Sequence, residues 1–513
     1  MAEILSKTKT RNLISIFILL VTAGIGIGMI WFPHISDDLK FLTPFADYVK
    51  GNSSDLSRAF KDGVIFWLNN ENIRISNLIA IFLLWLPPYV SGIITTVAIW
   101  VIIKKSVTLA RISTKPLAVI FFVMMFLVFY PWTDQLYLTD FQINYIWATA
   151  ISLFIVSRLT NSSSNSLASL VILCFILGWF HEGFGGGIAA LLLSLIVFFR
   201  RFRNLKYLLC LLALIPGIAV IGISQLNSFD GLYFADRQNI LYLYSLPALI
   251  FIFLTLIYCG GNRKRSFLQL ISPNTDLTLF SLLFLSVSGT LLMLMVPTGP
   301  RSGSLGIIAS LIGISYILPL LPFRLHAFRN RGVRYLLSII FLSFIFCHIV
   351  LVDIECIKAY KTTQDVVRRY MDNPSKPIYA DMTLRSDAGV LCLQKPYYDW
   401  FAHEKTIKVI EQFYGDSTSR PLIVIPKELE SIDLTRAVPI AGNAGLYRYG
   451  HLLFGPAELP YPYVNNLEVI EDGTARRMRY YVVPFNDGRP WAWYYPDFTT
   501  LSLFNRRNVT INY

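Results

Sequence analysis

The sequence is short of charge. Only 15% of its 513 residues are charged, against 54% hydrophobic and 14% aromatic, and its mean hydropathy is +0.53. A soluble domain carries roughly a quarter of its residues as charges to keep its surface solvated, so that class is excluded. Cysteine is sparse too. The six (Cys174, Cys210, Cys259, Cys347, Cys356 and Cys392) show neither paired nor metal-ligand spacing. Four of them sit inside apolar runs, where they read as small hydrophobes and not as a disulfide framework. No Walker loop, dinucleotide fingerprint or Ser-His-Asp hydrolase elbow occurs in the context each requires, which argues against nucleotide-driven chemistry. There is no internal repeat and no low-complexity tract. The first apolar stretch is not followed by a convincing small-residue cleavage site, so it reads as a retained helix.

What the sequence has instead is apolar runs of roughly 15–22 residues, about the length that crosses a bilayer core. They predict an α-helical polytopic membrane protein with about 11 transmembrane helices, near 13–33, 77–103, 116–131, 143–157, 167–181, 186–199, 207–224, 241–259, 277–296, 304–322 and 335–353. Pro87-Pro88 is expected to kink the second span. The net charge of +13 is unevenly distributed. If the N-terminus is cytoplasmic, the inner loops hold about nineteen Lys and Arg, with Glu3 and Asp276 as their acids. Basic loops stay on the cytoplasmic side, so the excess charge is a topology signal and not a nucleic-acid footprint. It implies a cytoplasmic N-terminus. Within the predicted bilayer core there is no Lys, Arg, Asp or Glu. Pumps and ion-coupled transporters commonly need such groups at mid-membrane, and their absence counts against that class.

The polar residues of interest fall on the predicted outer side. Asp37 and Asp38 stand at the mouth of the first span and open the long first outer loop, 34–76. A carboxylate at a dry interface can take the proton of an attacking hydroxyl; the alternative is an ordinary helix cap. Within that loop, Leu56, Ala59, Phe60, Val64, Trp67 and Leu68 recur at helical spacing, which predicts a helix lying along the membrane surface. His181 and Glu182, followed by Gly183 and Gly185 to Gly187, can bind a polar substrate or a metal, or can form a plain exit turn. The pair lacks the second histidine of a zinc helix. Arg301, in Pro297-Thr-Gly-Pro-Arg301, suits a phosphate or diphosphate, with Arg237 and Arg74 as competing candidates and headgroup anchoring as the alternative. Asp236 joins His181 and Glu182 as a pocket candidate.

Residues 354–513 change character: charge is regular and no spanning run occurs. Residues 358–371 look helical, while 377–381 and 421–426 look like short buried strands. The chain therefore divides into a transmembrane domain, 1–353, and a C-terminal mixed α/β extracytoplasmic domain, 354–513.

This set of features resembles the GT-C superfamily of membrane glycosyltransferases, especially its bacterial branch concerned with O-antigen and cell-surface glycans. Members carry an acidic motif, often two carboxylates, in the first outer loop, as Asp37 and Asp38 stand here. Phe66-Trp67 followed by Asn72-Ile73-Arg74 resembles an aromatic-then-Gly-Arg segment of that branch, with Ile73 in the glycine's place. The His181-Glu182 and Pro300-Arg301 turns resemble polar motifs on its outer side. The resemblance implies a polyprenyl-phosphate sugar as donor and a glycan, lipid or protein of the cell envelope as acceptor. Asp37 or Asp38 is then the base of an inverting transfer, and Arg301 faces the phosphate. A divalent cation is left open, and no other cofactor is implied. The expected partners are the lipid-linked donor, the acceptor and membrane lipids, with no nucleic acid. A flippase or exporter of lipid-linked saccharide, or a non-catalytic envelope-assembly partner, is the alternative.

Overall fold

The computed structural model of the chain describes residues 2–380 apart from 35–36, 70–72, 132–137, 161–165, 199–204, 226–237, 262–275, 296–298, 322–329 and 373–377; beyond 380 it describes 404–415, 422 and the strands given below. The described residues form two compact units. The first takes Met1–His34, Phe41–Lys358 and Ser386–Pro396, and the second Ile35–Lys40, Ala359–Arg385 and Tyr397–Tyr513.

The chain is mostly helical. Its helices are α1 (Ala2–Ile30), α2 (Asp37–Leu42), α3 (Ala46–Val49), α4 (Leu56–Leu68), α5 (Ile75–Leu84), α6 (Pro88–Leu109), α7 (Pro116–Phe129), α8 (Thr139–Phe141), α9 (Ala148–Thr160), α10 (Leu167–Phe180), α11 (Glu182–Phe198), α12 (Leu205–Gln225), α13 (Gln238–Gly261), α14 (Leu277–Met295), α15 (Ser304–Ile317), α16 (Arg331–Asp372) and α17 (Glu404–Tyr414). Among the described residues seven helical stretches are long and apolar enough to cross a membrane: Thr8–Ile30, Tyr89–Leu109, Thr139–Thr160, Leu205–Ser224, Leu277–Leu294, Arg301–Leu320 and Arg331–Asp372. These make the chain a membrane protein by length and composition.

The expected count of 11 spans is not reached among the described residues. Four predicted runs fall on described stretches of fewer than 18 residues, Pro116–Phe129, Leu167–Phe180, Glu182–Phe198 and Tyr244–Gly260, and a fifth, still counted through α6, is broken. The predicted span 77–103 is two helices: α5 ends at Leu84, and α6 starts afresh with Pro87 as its cap and a proline in its first turn. Proline fits a first turn, where no intrahelical N–H bond is required, and it cannot continue the preceding helix. The helices α7 and α10 have 14 residues each, about 21 Å at 1.5 Å per residue, against a hydrocarbon core of about 30 Å. An apolar run measures composition; it does not measure how far the helix extends.

In the first unit, α15 is the centre. Every residue from Ser304 to Ile317 is buried, as expected of a helix apolar on all sides. It packs against α14 and α13, and also meets α6, α7 and α9. Its closest approach is to α14, where a Cβ built on Gly289 would stand 2.6 Å from the Gly306 Cα. Helix α1 packs on α6, and α10 on α12. The surface helix expected in the first loop is α4. Asp55 caps it by accepting from the Arg58 N–H at 2.9 Å. Ala59 and Gly63 are its buried side, while Leu56, Phe60, Ile65 and Leu68 are exposed.

In the second unit, the end of α16 buries Val366, Val367 and Tyr370, and α17 buries Val409, Ile410 and Phe413. Strands β1 (Ile378–Ala380) and β2 (Val424–Pro426) pair in parallel, with Ile378 opposite Val424. A second, antiparallel sheet has β3 (Val438–Pro439), β4 (Tyr447–Tyr449), β5 (Leu452–Pro456), β6 (Tyr463–Glu471), β7 (Thr474–Pro484), β8 (Pro490–Pro496) and β9 (Val509–Asn512) in the order β3-β4-β5-β8-β7-β6-β9. An α/β domain running as one block over 354–513 is not supported. The helix expected at 358–371 is no separate element but the continuation of α16, which runs unbroken through residue 353.

The α14–α15 crossing gives a direct test. Replacing Gly289 by Val forces the two backbones apart, and overpacking of this kind costs about 1–3 kcal/mol. The purified Gly289→Val protein should unfold at a lower temperature than the parent in the same detergent. An unchanged midpoint would contradict the close crossing.

Candidate functional site

The site is built around one break in helical structure. Helix α10 stops at Phe180 because His181 is extended, with φ −159° and ψ 121°. The next helix starts at once. The His181 carbonyl accepts from the Gly185 N–H at 2.9 Å, and the His181 Nδ1 accepts from the Gly183 N–H at 3.1 Å. His181 therefore caps α11 with both its backbone and its ring, satisfying donors that a helix start would leave orphaned. A nitrogen that accepts cannot carry the proton, so the neutral ring is protonated on Nε2. That nitrogen is buried and has no hydrogen-bond partner among the described residues.

Glu182 is the first residue of α11, where the helix dipole favours an acid. Its carboxylate receives Arg74 through two bonds, Nε to Oε2 at 2.8 Å and Nη2 to Oε1. Arg74 is the cap of α5, and its carbonyl accepts from the Trp67 indole N–H at 2.7 Å. The side chains of this pair are 12% and 22% exposed, respectively. The Tyr145 side chain lies within electrostatic reach of the Arg74 guanidinium. The Tyr145 ring lies 4.9 Å from the His181 ring, and Phe184 lies 5.1 Å from it on an edge. Arg301, in the short 3-10 turn before α15, lays its guanidinium 4.4 Å from the Phe141 ring and 5.7 Å from that of Tyr145.

Electrostatics keep His181 neutral. Burial disfavours the imidazolium most, the positive charge of Arg74 adds to this and Arg301 contributes, while Glu182 opposes; its pKa falls to about 3. Arg74 is affected in the opposite sense. Burial alone would lower its pKa, but Glu182 and then Tyr145 more than compensate and the net shift is upward.

Of the sequence candidates, the structure brings Arg74, His181, Glu182 and Arg301 to one place. Asp37 and Asp38 open α2, a six-residue helix, where both are first-turn acids; Asp38 is buried and Asp37 half-buried. Their segment, Ile35–Lys40, belongs to the second unit. Asp236 and Arg237 lie outside the described residues. The glycines after Glu182 serve differing ends. A Cβ on Gly185 would crowd Ile218 and Gly178, whereas one on Gly186 would meet nothing within 4 Å. Among the described residues no group of three or more His, Cys, Asp or Glu side chains is placed to hold a metal ion.

Sequence reasoning missed the floor of the site. Gln142–Trp147 forms a π-helical turn between α8 and α9, a feature that often marks functional sites. It carries Tyr145 together with Gln142 and Asn144. The Asn144 side-chain amide donates to Asn77 Oδ1 at 2.7 Å, and Thr95 donates to Gln142 Oε1 at 2.9 Å. The Ser76 hydroxyl donates to the Phe180 carbonyl at 2.6 Å and also meets the Asn144 side chain. This network ties α5 and α6 to the residue just before the His181 break. The signal that pointed to it was the presence of two amides, Gln142 and Asn144, at the head of an apolar run, because buried amides require partners.

Compared with protein-family models, with curated proteins and with solved structures, the chain matches none of them.

Two measurements check this geometry. Removing one partner of a buried ion pair costs about 3–5 kcal/mol, whereas replacing both by apolar groups is close to neutral. Arg74→Met should therefore unfold much more readily than Arg74→Met/Glu182→Leu. A double variant no more stable than the single one would refute the pairing. For His181, the unfolded ring takes up a proton near pH 6.5 and the folded ring only near pH 3. Above pH 6.5 both states are neutral and the group contributes nothing to pH dependence; between 6.5 and 3 it makes stability fall as pH falls. His181→Gln should flatten that slope relative to the parent, and parallel curves from pH 6.5 to 4 would show that the ring is not held neutral.

Proposed function

We propose that the chain is a membrane glycosyltransferase of the GT-C kind, moving a sugar from a polyprenyl-phosphate donor to a cell-envelope acceptor. The observation that carries this reading is the convergence of Arg74, His181, Glu182 and Arg301, far apart in sequence, at the junction of α10 and α11. In the topology read from the basic loops, with the N-terminus cytoplasmic, this junction faces the outer side of the bacterial inner membrane.

The parts divide the work as follows. Arg74 and Glu182 largely cancel each other's charge, so their role is to hold Tyr145 and the start of α11 in place. Arg301 brings the positive charge for the donor. Its guanidinium sits over the Phe141 ring and near that of Tyr145, and its planar fork of N–H donors is the geometry that suits a phosphate. The partial positive charge at the start of α11 acts in the same direction. The neutral His181 offers Nε2–H to an oxygen of the donor without adding a charge.

In the transfer, Asp37 or Asp38 takes the proton of the acceptor hydroxyl. That oxygen bonds to the anomeric carbon from the face opposite the phosphate. The bond from the anomeric carbon to the phosphate oxygen breaks, and its electron pair leaves with the polyprenyl phosphate. The configuration inverts. Negative charge grows on the departing phosphate as the bond breaks, and Arg301 stabilises it more in the transition state than in the bound donor. Fixed charges and donors of this kind are worth about 3–4 kcal/mol each. The assignment of the base rests on the sequence motif in the first loop.

Transfer of sugar from a radiolabelled polyprenyl-phosphate donor, in membranes containing the protein, tests the reading. Arg301→Gln should lower the rate about 100-fold or more. Of Asp37→Asn and Asp38→Asn, the variant that removes the base should lower it at least as much while the protein still folds. Full transfer by both asparagine variants would remove the base from this account.

A further inference from the structure

At the opposite end of α10 a second set of cations converges. Lys105, at the end of α6, places its ammonium 3.9 Å from the centre of the Phe154 ring, and Arg158, at the end of α9, places its guanidinium 5.1 Å from the same ring. One small aromatic ring thus brings two like charges into each other's neighbourhood. A third joins them: Lys206, at the start of α12, donates to the Arg158 carbonyl at 3.0 Å. Arg158 also donates to the Ser169 hydroxyl in the first turn of α10. Lys104 lies beside them, 4.2 Å over the Trp100 ring.

Basic clusters in proteins usually contain their own carboxylates. Here Lys104, Lys105 and Arg158 make no ion pair with a carboxylate among the described residues. The loops on this side supply Glu3 and Asp276 as acids, and Asp276 is occupied elsewhere. Its Oδ1 accepts from the Thr278 N–H at 3.0 Å, capping α14, while its Oδ2 takes the Tyr316 hydroxyl and pairs with Arg111 at 3.2 Å. The neighbouring loops, 161–165 and 199–204, add Arg200, Arg201 and Arg203 and no acid to the sequence of this end.

Beside the charges lies exposed apolar surface. Leu205, Leu208 and Leu212 follow one another along α12 from the level of Lys206, exposed by 60%, 43% and 53%. A charged end that continues into an uncovered aliphatic strip matches a ligand with a phosphate at one end and hydrocarbon at the other. Basic pockets between helices at a membrane surface bind anionic headgroups in this way.

We propose that Lys105, Arg158 and Lys206 form a docking site for the phosphodiester headgroup of an anionic phospholipid, whose acyl chains lie along α12, with the Ser169 hydroxyl holding the Arg158 guanidinium in place. The site is separate from the one at His181 and does not depend on the transferase reading. It holds a lipid as a structural and orienting ligand; it carries out no chemistry.

The test uses the full chain, purified in a neutral detergent. Phosphatidylglycerol, phosphatidylcholine and inorganic phosphate are added separately, and retention of lipid is read by native mass spectrometry alongside the melting temperature. The parent should retain phosphatidylglycerol at least about tenfold better than phosphatidylcholine, with a rise in melting temperature that inorganic phosphate does not produce. Lys105→Gln/Arg158→Gln should lose that preference, while Lys105→Arg should keep it. If the double variant fails to fold, Lys105→Gln alone carries the comparison and should weaken phosphatidylglycerol retention severalfold. Equal retention of the two lipids by the parent, or full retention by the glutamine variants, overturns the proposal. Stabilisation by inorganic phosphate as large as that by phosphatidylglycerol overturns the lipid assignment in favour of a soluble anion.

Discussion

The buried pairing of Arg74 with Glu182 is the interaction on which the candidate site depends. Neither charge is tolerable there alone. A guanidinium and a carboxylate that are both mostly removed from water need each other's bidentate geometry to offset their desolvation. Once paired, they set the positions of everything nearby. Arg74 closes the start of α5 and receives the Trp67 indole on its carbonyl, so the surface helix α4 is bound to it, and Tyr145 of the π-helical turn lies within its electrostatic reach. Glu182 is fixed as the first residue of α11, and His181 is thereby fixed immediately before it.

His181 is where covalent connectivity becomes electrostatics. An extended residue between two helices turns its ring back to cap the second, and this leaves Nε2–H as a buried donor. Burial above all, helped by two arginines within electrostatic reach, keeps the ring uncharged. The consequence is a site with a net positive bias that comes from Arg301 and the start of α11, and with a neutral donor beside it. Such an arrangement favours an anion with further oxygens to recognise, and phosphosugars have that form. At the other end of α10 cations gather on Phe154, where the proposed ligand is an anionic lipid headgroup.

Much of this was legible in the sequence, for a physical reason. In an apolar chain a charged residue away from the basic loops is conspicuous because it is costly, and His181, Glu182, Arg74 and Arg301 stood out on that ground. Tyr145, Ser76 and Asn77 did not, since a tyrosine or a small polar residue beside an apolar run costs little and reads as ordinary. A π-helical turn leaves no mark in hydropathy, because the composition of Gln142–Trp147 suits a regular helix equally well. Most helical runs were legible to within a few residues, though α1 begins well before the expected 13 and α16 runs well past the expected 353. Their number as membrane-crossing spans was not legible, since Pro87-Pro88 suggested a kink where the chain makes a break and α10, expected at 167–181, is too short to count as a span. In the second unit, Asp472-Gly473 between β6 and β7 is the dipeptide a two-residue hairpin favours, and the two strands flank it in register. The pairing order of the other strands depends on contacts between distant segments, which local pattern does not encode.

Photocrosslinking tests the central claim most directly. A polyprenyl phosphate carrying a photoreactive group next to the phosphate, irradiated with the full chain in membranes and mapped by mass spectrometry, reports where the phosphate rests. The account predicts adducts at the start of α11 and in the turn that holds Arg301, lost in Arg301→Gln and competed away by unlabelled polyprenyl phosphate. Adducts confined to other parts of the chain, or unchanged in Arg301→Gln, would contradict it.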